Sequence, residues 1–325
     1  MEIQKIFFET LKNEINPNTR PADAISEILG IGSDSAYRRL RGEKELTFSE
    51  LVKLCTHFNL SLDSILNYRS NRVLFKYSRQ DLSNMGNYEK YMDELATLYE
   101  GLVKSSNKEI LTTAQDIPIF HFMPFFELTL FKVYAWNQSV CEKHASYDRF
   151  ISTLDKDKLQ TIYERISSAY KQIPTTEVWT SNTIETVLRL LDYHYDINGF
   201  ENKDYPGLLC NQLLQLIENL EQWAENESKE YKSKKTFFRM YLSPVDLENN
   251  FVITKKDGLT LTSVKLYTIN GIFTSNTEFC EETEKWIRNL ISKSLPLSGA
   301  SARERFKFFQ SMKTKINNLM EKFEK

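Results

Sequence analysis

With 325 residues, the chain is long enough for two or three domains, and its net charge of −2 excludes a protein that is basic throughout. A hydrophobic fraction of 41% with 13% aromatic residues predicts substantial cores and excludes a disordered chain. The four cysteines lie far apart, which favours reduced thiols in a cytoplasmic protein over disulfides or a metal site. No run has the ~20 apolar residues of a membrane span, and the start lacks a signal-peptide pattern.

The first predicted elements are a helix over residues 2–15 and a pair of short helices within residues 20–44, RPADAISEILGIGSDSAYRRLRGEK. The helix over residues 2–15 has an apolar side made of Ile3, Ile6, Phe7 and Leu11. The first helix of the pair has a stripe at helical spacing. This stripe contains Ala24, Ile25, Ile28 and Leu29. Gly30 is predicted to end that helix, because glycine accepts the left-handed conformation that closes a helix.

The second helix of the pair, capped by Gly32 or Ser33, turns Ala36 and Leu40 inward. Its opposite side suits the DNA major groove, because an arginine there can bind a guanine edge through two hydrogen bonds. The flanking Tyr37, Arg39 and Lys44 are assigned to the DNA backbone. The predicted DNA-contacting residues are Ser33, Asp34, Ser35, Tyr37, Arg38, Arg39, Arg41 and Lys44.

A helix with a capping box follows, since Thr47 precedes it and Glu50 lies three residues further on. Its predicted buried residues are Phe48, Leu51, Val52, Leu54 and Cys55. A last short helix is predicted to start at Ser61 and to contribute Leu62, Ile65 and Leu66. Residues 1–68 are therefore predicted to form a domain of five helices.

This order of helices, with ISEILGIGSDSAYRRLRGEK and LTFSELVKLCTHFNLSLDSIL as its most specific segments, resembles the phage-repressor (Cro-type, Xre-like) helix-turn-helix family over about residues 1–67. Two positions depart from the family pattern: Ala36 replaces a larger aliphatic residue, and Leu40 stands where an acidic residue is common. The resemblance implies a transcriptional regulator that binds double-stranded DNA as a homodimer, on a roughly palindromic site.

The charge of this segment limits the DNA-binding prediction. Residues 1–67 contain eight Lys or Arg residues against ten Asp or Glu residues, so only the cluster from Arg38 to Lys44 is basic. We therefore expect weak nonspecific affinity, dependence on dimerisation and marked sensitivity to salt.

Residues 69–108 are predicted to connect this domain to the body. Within them, residues 87–105 have a long apolar stripe at helical spacing. A helix here would either contact a second copy of the chain or pack on its own body, and the sequence leaves both alternatives open.

The body, residues 109–325, is predicted to have mixed α/β (α+β) structure, so that the whole chain is mainly α with a β meander. Short strands are predicted at residues 109–114 and 177–179, and helices at residues 154–172, 183–195, 207–227 and 301–323. Residues 180–183 and Thr277 are expected to cap helices. Residues 236–275 predict a three- or four-stranded antiparallel meander, with two-residue turns at Asp257-Gly258 and Asn270-Gly271.

No catalytic residue, cofactor or metal site is predicted, because the sequence has no phosphate loop, nucleophile elbow or metal-ligand spacing. The histidines His57, His121, His144 and His194 are isolated, and His121 is expected to be a core residue. Ser263 and Lys265 share one strand face, as a self-cleaving repressor would require, but this spacing arises often by chance.

The predicted function is a sequence-specific DNA-binding regulator whose body dimerises, senses an effector, or does both. The effector class stays open between a small molecule, a peptide and a protein. Two alternatives also remain open: a DNA-targeted enzyme with an unrecognised active site in the body, and an antitoxin-like or phage-type protein that binds a protein partner.

Overall fold

The structure, a computed structural model, describes residues 2–12, 14–15, 19–58, 60, 73–141 and 145–324. Its contacts divide the chain into two compact units, Met1–Leu74 and Phe75–Lys325. The boundary falls within the predicted connector, whose part from Phe75 onward belongs to the second unit. Within the described residues, no helix is long and apolar enough to cross a membrane.

The first unit contains four described helices: α1 (Glu2–Lys12), α2 (Pro21–Leu29), α3 (Ser33–Leu40) and α4 (Phe48–His57). They bury a small core. Its fully buried members include Phe7, Phe8, Leu11, Ile25, Ala36 and Leu54. The fifth helix predicted from Ser61 lies outside the described residues, as does His144 of the second unit.

Helix α4 turns part of its predicted buried face to solvent. Leu54 and Cys55 are buried, as predicted, but Phe48 is 75% exposed and Val52 is 41% exposed. At about 100° per residue, Phe48 and Val52 lie at the edge of the apolar stripe, whose centre runs through Leu54 and Cys55. The prediction that Phe48 and Val52 are core residues is therefore wrong.

The second unit is built on one mixed sheet, and the chain is of mixed α and β structure as predicted. The described strands are β1 (Lys76–Ser78), β2 (Lys108–Ala114), β3 (Thr175–Trp179), β4 (Ser228–Tyr231), β5 (Lys234–Leu242), β6 (Phe251–Lys256), β7 (Leu259–Lys265), β8 (Gly271–Thr274) and β9 (Leu295–Pro296). Their order across the sheet is β1-β8-β7-β6-β2-β3-β5-β4, and β9 pairs with β5. Strands β2, β3 and β5 are parallel neighbours, while the other pairs are antiparallel.

Helices cover both faces of this sheet. The described ones are α5 (Met85–Val103), α6 (Ile119–Phe122), α7 (Phe126–Val140), α8 (Tyr147–Ile151), α9 (Lys156–Tyr170), α10 (Glu185–Asp196), α11 (Asp204–Asn226), α12 (Thr277–Lys293) and α13 (Ala302–Phe323). The larger core lies on the face that also buries Trp179. On the opposite face, Ile287 and Leu290 of α12 pack with Leu111, Val178 and Ile253.

The predicted meander is confirmed for β6, β7 and β8, but strand β5 does not belong to it. Residues Phe238–Leu242 pair in parallel with Thr175–Trp179 instead. Eight residues separate β5 from β6. They form a loop and not the two-residue turn that would fold β5 back against β6.

Only one of the two predicted meander turns has the predicted form. Asp257 and Gly258 have positive φ values of 47° and 88°, as a two-residue hairpin turn requires. The second turn spans Leu266–Asn270 and places its positive φ at Thr268. Asn270 instead uses its side chain to bind the backbone of Gln80, and Gly271 begins β8.

Helix α5 packs on its own body, which was one of the two alternatives left open. It is capped by the Asn84 side chain, which accepts a hydrogen bond from Gly86 N. Its buried residues are Tyr88, Met92, Ala96, Tyr99 and Leu102. The Tyr88 hydroxyl lies 2.8 Å from the Tyr163 hydroxyl of α9, and Arg165 of α9 pairs with Glu100.

Two expected helix caps have other roles. Asn276, rather than Thr277, caps α12 by accepting a hydrogen bond from Phe279 N at 2.9 Å. Thr183 donates to the carbonyl of Ala114 and accepts from Thr180 N, so it fastens the segment after β3 to the end of β2. Thr277 is already the first residue of α12, and the hydroxyl of Thr183 is occupied by Ala114 and Thr180.

Candidate nucleic-acid interface

Helices α2 and α3 are joined by a short turn, residues 30–32. Gly30 follows α2 with φ 67° and ψ 37°, the left-handed conformation predicted from the sequence. The hydroxyl of Ser26 donates to the carbonyl of Ile31, which fixes the turn against α2. Gly32 then precedes α3, and Ala36 is fully buried against the core. Because Ala36 faces inward, the residues on the opposite side of α3 face solvent.

Arg39 of α3 is buried and does not lie on the solvent face. It is 3% exposed, and its guanidinium donates to both carboxylate oxygens of Glu50, at 2.7 and 3.1 Å. The same guanidinium donates to the carbonyl and hydroxyl oxygens of Ser35, at 3.0 and 2.7 Å. A bidentate arginine–carboxylate pair fixes orientation as well as supplying energy. This pair therefore joins α3 to α4 in one defined orientation.

Glu50 serves two elements at once. It completes the capping box of α4, in which Thr47 Oγ1 accepts from Glu50 N and the Glu50 carboxylate accepts from Thr47 N. The hydrogen bonds from Arg39 hold the pKa of Glu50 below its usual value, with a further contribution from the backbone of Thr47. Its carboxylate is thus kept charged where it meets Arg39.

Gln4 of α1 holds the segment that follows α3. Its amide nitrogen donates to the carbonyls of Arg39 and Lys44, at 3.0 and 2.9 Å. Its amide oxygen accepts a hydrogen bond from Leu46 N at 3.0 Å. These bonds satisfy carbonyls near the end of a helix, which have no partner within the helix itself. The loop from Arg41 to Leu46 is therefore anchored to α1.

The solvent face of α3 and the loop after it carries most of the predicted DNA-contacting residues. Tyr37 is 42% exposed, and the side chains of Arg38 and Arg41 are 54% and 58% exposed. Ser33, Asp34 and Lys44 are also exposed. This face thus carries two guanidinium groups with hydroxyl and ammonium groups at its flanks, which are groups that can hydrogen-bond to the bases and phosphates of DNA.

An acidic residue that the sequence interpretation did not consider lies within this face. The Glu43 carboxylate lies 2.9 Å from Nε of Arg41 and 3.9 Å from Nε of Arg38. Its position two residues after Arg41, beyond Gly42, was visible in the sequence as the one acidic residue inside the basic cluster. Glu43 therefore pairs both arginines with a negative charge.

The structure thus divides the predicted site residues into two groups. The exposed group is Ser33, Asp34, Tyr37, Arg38, Arg41 and Lys44. Ser35 and Arg39 form the other group, since Arg39 is buried and the Ser35 hydroxyl accepts its hydrogen bond. The assignment of Arg39 to the DNA backbone does not fit this position, because Glu50 and Ser35 already occupy its guanidinium. Gln4 and Glu50, which hold α3 in place, were not assigned to the site.

The second unit contains a buried network around Glu177 of β3. His121 Nε2 lies 2.9 Å from one oxygen of Glu177, Trp179 Nε1 donates to the other at 2.6 Å, and the Tyr170 hydroxyl also donates. Burial alone would raise the pKa of Glu177, but the charge and hydrogen bond of His121 lower it overall. All four side chains are buried, so the network is enclosed in the core.

A second buried cluster places Asp116 between two lysines. Lys132 donates to both oxygens of Asp116, at 3.0 and 2.8 Å, and Lys265 donates to one of them at 2.8 Å. Lys265 is therefore engaged by Asp116, and no described hydrogen bond joins it to Ser263. Among the residues that the structure describes, no group of His, Cys, Asp and Glu side chains has the arrangement of a metal site.

No protein-family model, curated protein or solved structure matches the chain. Its function must therefore be inferred from its residues and their geometry.

Proposed function

We propose that the first unit binds double-stranded DNA through α3 and that the chain acts as a transcriptional regulator in homodimeric form. The observation that carries this proposal is the solvent face of α3. It presents Tyr37, Arg38 and Arg41 from a short helix that is fixed from behind by the Arg39–Glu50 pair and by Gln4. A recognition element needs this combination, because flexible arginines on a mobile helix would bind phosphate without selecting a base sequence.

Each exposed side chain has a role that follows from its chemistry. Arg38 and Arg41 bind guanine edges or phosphates, since a guanidinium can donate two parallel hydrogen bonds. Asp34, in the first turn of α3, contacts a cytosine amino group, while Ser33 contacts base edges or phosphate. Tyr37 and Lys44 bind the DNA backbone. Ser35 and Arg39 support α3 and do not contact DNA.

The homodimer is supported by apolar side chains that α4 leaves in solvent. Phe48 and Val52 are four residues apart, so they form one stripe along the helix. An exposed phenylalanine beside an exposed valine favours contact with another surface. A symmetric dimer would place this stripe against the same stripe of a second copy, because an isologous interface uses one patch twice.

Selection of binding sites from random double-stranded DNA, with the full-length chain as bait, tests the proposal. We expect an enriched palindrome whose half-sites are about one helical turn apart. Arg38→Ala and Arg41→Ala should each weaken binding to that palindrome by about 1–3 kcal/mol, which is roughly 5- to 150-fold, and should relax selectivity at one base pair.

Lys12→Ala is the matched control for these variants. It also removes one exposed positive charge, but it lies at the end of α1, roughly 12 Å along the helix from Gln4. Binding by this variant should match that of the unmodified chain. Failure to enrich any sequence, or equal binding by the Arg38, Arg41 and Lys12 variants, would contradict the proposal.

A further inference from the structure

A surface groove in the second unit lies between the β5–β6 loop, residues 243–250, and helix α12. It has a cavity volume of about 540 Å³. Three aromatic side chains line it, Phe251, Phe279 and Trp286, together with the carboxylates Asp246, Glu248 and Glu282. None of the described lining residues is Lys, Arg or His. The groove therefore combines aromatic walls with charged groups that are all negative.

The position of the groove in the fold is that of a ligand site. Trp179 and Leu242 are register partners at the carboxyl ends of the parallel strands β3 and β5. The β5–β6 loop starts directly after Leu242, and Ser243 N donates to the carbonyl of Trp179 at 2.8 Å. Ligands of sheets with parallel strands bind beyond the carboxyl ends of those strands. The groove is at this edge.

The largest aromatic side chain of the groove, Trp286, is partly exposed to solvent. The rings of Phe251 and Trp286 have centroids 5.4 Å apart and planes inclined by 63°, so they form two sides of a corner. Trp286 is 43% exposed, whereas Ile287, about 100° further round the helix, is buried against the sheet. The face of an indole ring carries partial negative charge and attracts cations more strongly than phenyl or phenol rings do.

The carboxylates of the groove differ from that of Glu284, which lies on the same helix as Glu282. Glu284 of α12 pairs with Lys255 and with Arg288, both at 2.6 Å. Glu248 and Glu282 are exposed and form no ion pair with any described residue, while Asp246 accepts a hydrogen bond from the Asn182 side chain at 2.9 Å. Two of the three groove carboxylates thus carry negative charge that no described cationic side chain neutralises.

The loop that forms one wall is held at several points. Thr113 Oγ1 donates to the carbonyl of Asn249 at 3.2 Å, and the side chain of Asn250 accepts from Gln115 N at 2.6 Å. At the other end, Ser243 Oγ donates to the carbonyl of Val245 at 2.7 Å. Because these bonds fix the loop without a ligand, the groove is preformed and a ligand has little ordering cost to overcome.

We propose that this groove binds an organic cation, specifically a small molecule that carries an alkylated ammonium group. Its volume lies within the ~300–1,000 Å³ range of small-molecule sites. An alkylated ammonium is weakly hydrated, stacks on an indole face and is neutralised by carboxylates at the rim. A metal ion fits less well, because it needs several convergent oxygen ligands in place of aromatic walls. The binding itself is independent of the DNA-binding function proposed above.

Isothermal titration of the full-length chain without DNA tests this site, with acetylcholine as the cationic probe and 3,3-dimethylbutyl acetate as its uncharged isostere. The two probes have the same shape and differ only in charge. We expect acetylcholine to bind roughly tenfold or more tightly than the isostere, since both the ring face and the carboxylates favour the charged form. Trp286→Leu should weaken acetylcholine binding by about tenfold and leave the isostere nearly unaffected.

Glu282→Gln and Glu248→Gln should each weaken acetylcholine binding by about two- to fivefold, because each removes one charge from the rim. Glu281→Gln is the matched control, since Glu281 is exposed on α12 but does not line the groove. Thermal unfolding curves verify that each variant is folded. Equal binding of the two probes, unchanged binding by the folded Trp286→Leu variant, or no binding of acetylcholine at about 10 mM would overturn the proposal. None of these outcomes depends on whether the chain binds DNA.

Discussion

The two units of the molecule use buried charge in different ways. In the first unit, the buried charged side chain is Arg39, whose partners Ser35 and Glu50 lie four and eleven residues away. In the second unit, Glu177 meets His121, which is 56 residues away, and Lys229 donates to the carbonyl of Tyr170, which is 59 residues away. The nearby partners of Arg39 hold α3 in position, whereas the distant partners of Glu177 and Lys229 join separate layers of the second unit.

This difference shows which contacts serve a surface and which serve a core. The Arg39–Glu50 pair lies directly behind the solvent face of α3, so its effect is on the orientation of Arg38 and Arg41. Lys229 has three acceptors, the carbonyls of Tyr170 and Ile173 and the hydroxyl of Thr175, all within 2.8 Å. Burial lowers the pKa of Lys229, and these acceptors hold β4 to the segment between α9 and β3. Lys229 therefore stabilises the core of the second unit and does not position a surface side chain.

The largest expected effect comes from removing the centre of the body's network. Glu177→Ala should destabilise the second unit by about 3–5 kcal/mol, because His121, Tyr170 and Trp179 would lose their shared acceptor inside the core. Denaturation followed by tryptophan fluorescence measures this unit alone, since all four tryptophans lie within residues 75–325.

Glu218→Ala is the control for this loss, because Glu218 is an exposed residue of α11. Its unfolding free energy should stay within about 0.5 kcal/mol of the unmodified chain. A stability of the Glu177 variant equal to that of the Glu218 variant would show that the network is not needed by the core.

A smaller effect is expected in the first unit. Arg39→Ala should destabilise that unit by about 1.5–3 kcal/mol, because the variant loses charge-assisted hydrogen bonds and leaves Glu50 without its main partner. The change should appear in far-ultraviolet circular dichroism and leave the tryptophan transition of the body in place. Arg38→Ala, on the exposed side of the same helix, should change stability by less than about 0.5 kcal/mol.

The Arg39–Glu50 pair also predicts the acid response of this unit. The pKa of Glu50 is lowered in the folded chain, so its stabilisation is fully present above the unfolded value of about 4.3 and is lost as the pH falls through the lower folded value. Glu50→Gln keeps a capping side chain but removes this titration. A first unit that lost stability equally below pH 4.3, with and without this substitution, would contradict the role of the pair.

The smallest effect concerns the surface that the first unit presents. Glu43→Gln should strengthen binding to the selected DNA site by about two- to fivefold, because Arg38 and Arg41 no longer share a carboxylate that competes with the DNA. Gel-shift titration at constant salt measures this change. Glu9→Gln, an exposed substitution on α1, should leave affinity unchanged, and weaker binding by the Glu43 variant would show that Glu43 orients the arginines.

The parts of the first unit that could be predicted are those with local causes. The left-handed Gly30 and the capping box of Thr47 and Glu50 depend on neighbours within a few residues, and both are confirmed. The inward position of Arg39 was missed. Arg39 lies three residues after the buried Ala36, so helical spacing allowed it, but an arginine turns inward only when a carboxylate of another element receives it, here Glu50 of α4.

The strand pairing and turns of the second unit were less predictable, because its elements contact residues that are far away in the sequence. Strand β5 was identified, but its parallel pairing with β3 depends on two helices that intervene in the sequence. The Asn270-Gly271 pair has the composition of a hairpin turn, yet Asn270 binds Gln80, which is 190 residues away. The groove beside Trp286 was also missed, because its walls come from a loop and a helix whose proximity is set by the sheet.

The position of Glu43 has a consequence for how DNA binding by this chain would be measured. Arginines that approach phosphate normally displace condensed cations from the DNA, and the number displaced sets the slope of affinity against salt concentration. In this chain Arg41 and Arg38 must first leave Glu43, whose own freed charge then attracts a cation from solution. The release of ions from the DNA is thereby partly offset by uptake at the protein. The slope of affinity against salt concentration, measured on the unmodified chain, would accordingly underestimate the number of phosphate contacts. The Glu43→Gln variant should show a steeper slope, because it takes up no cation when the arginines bind DNA.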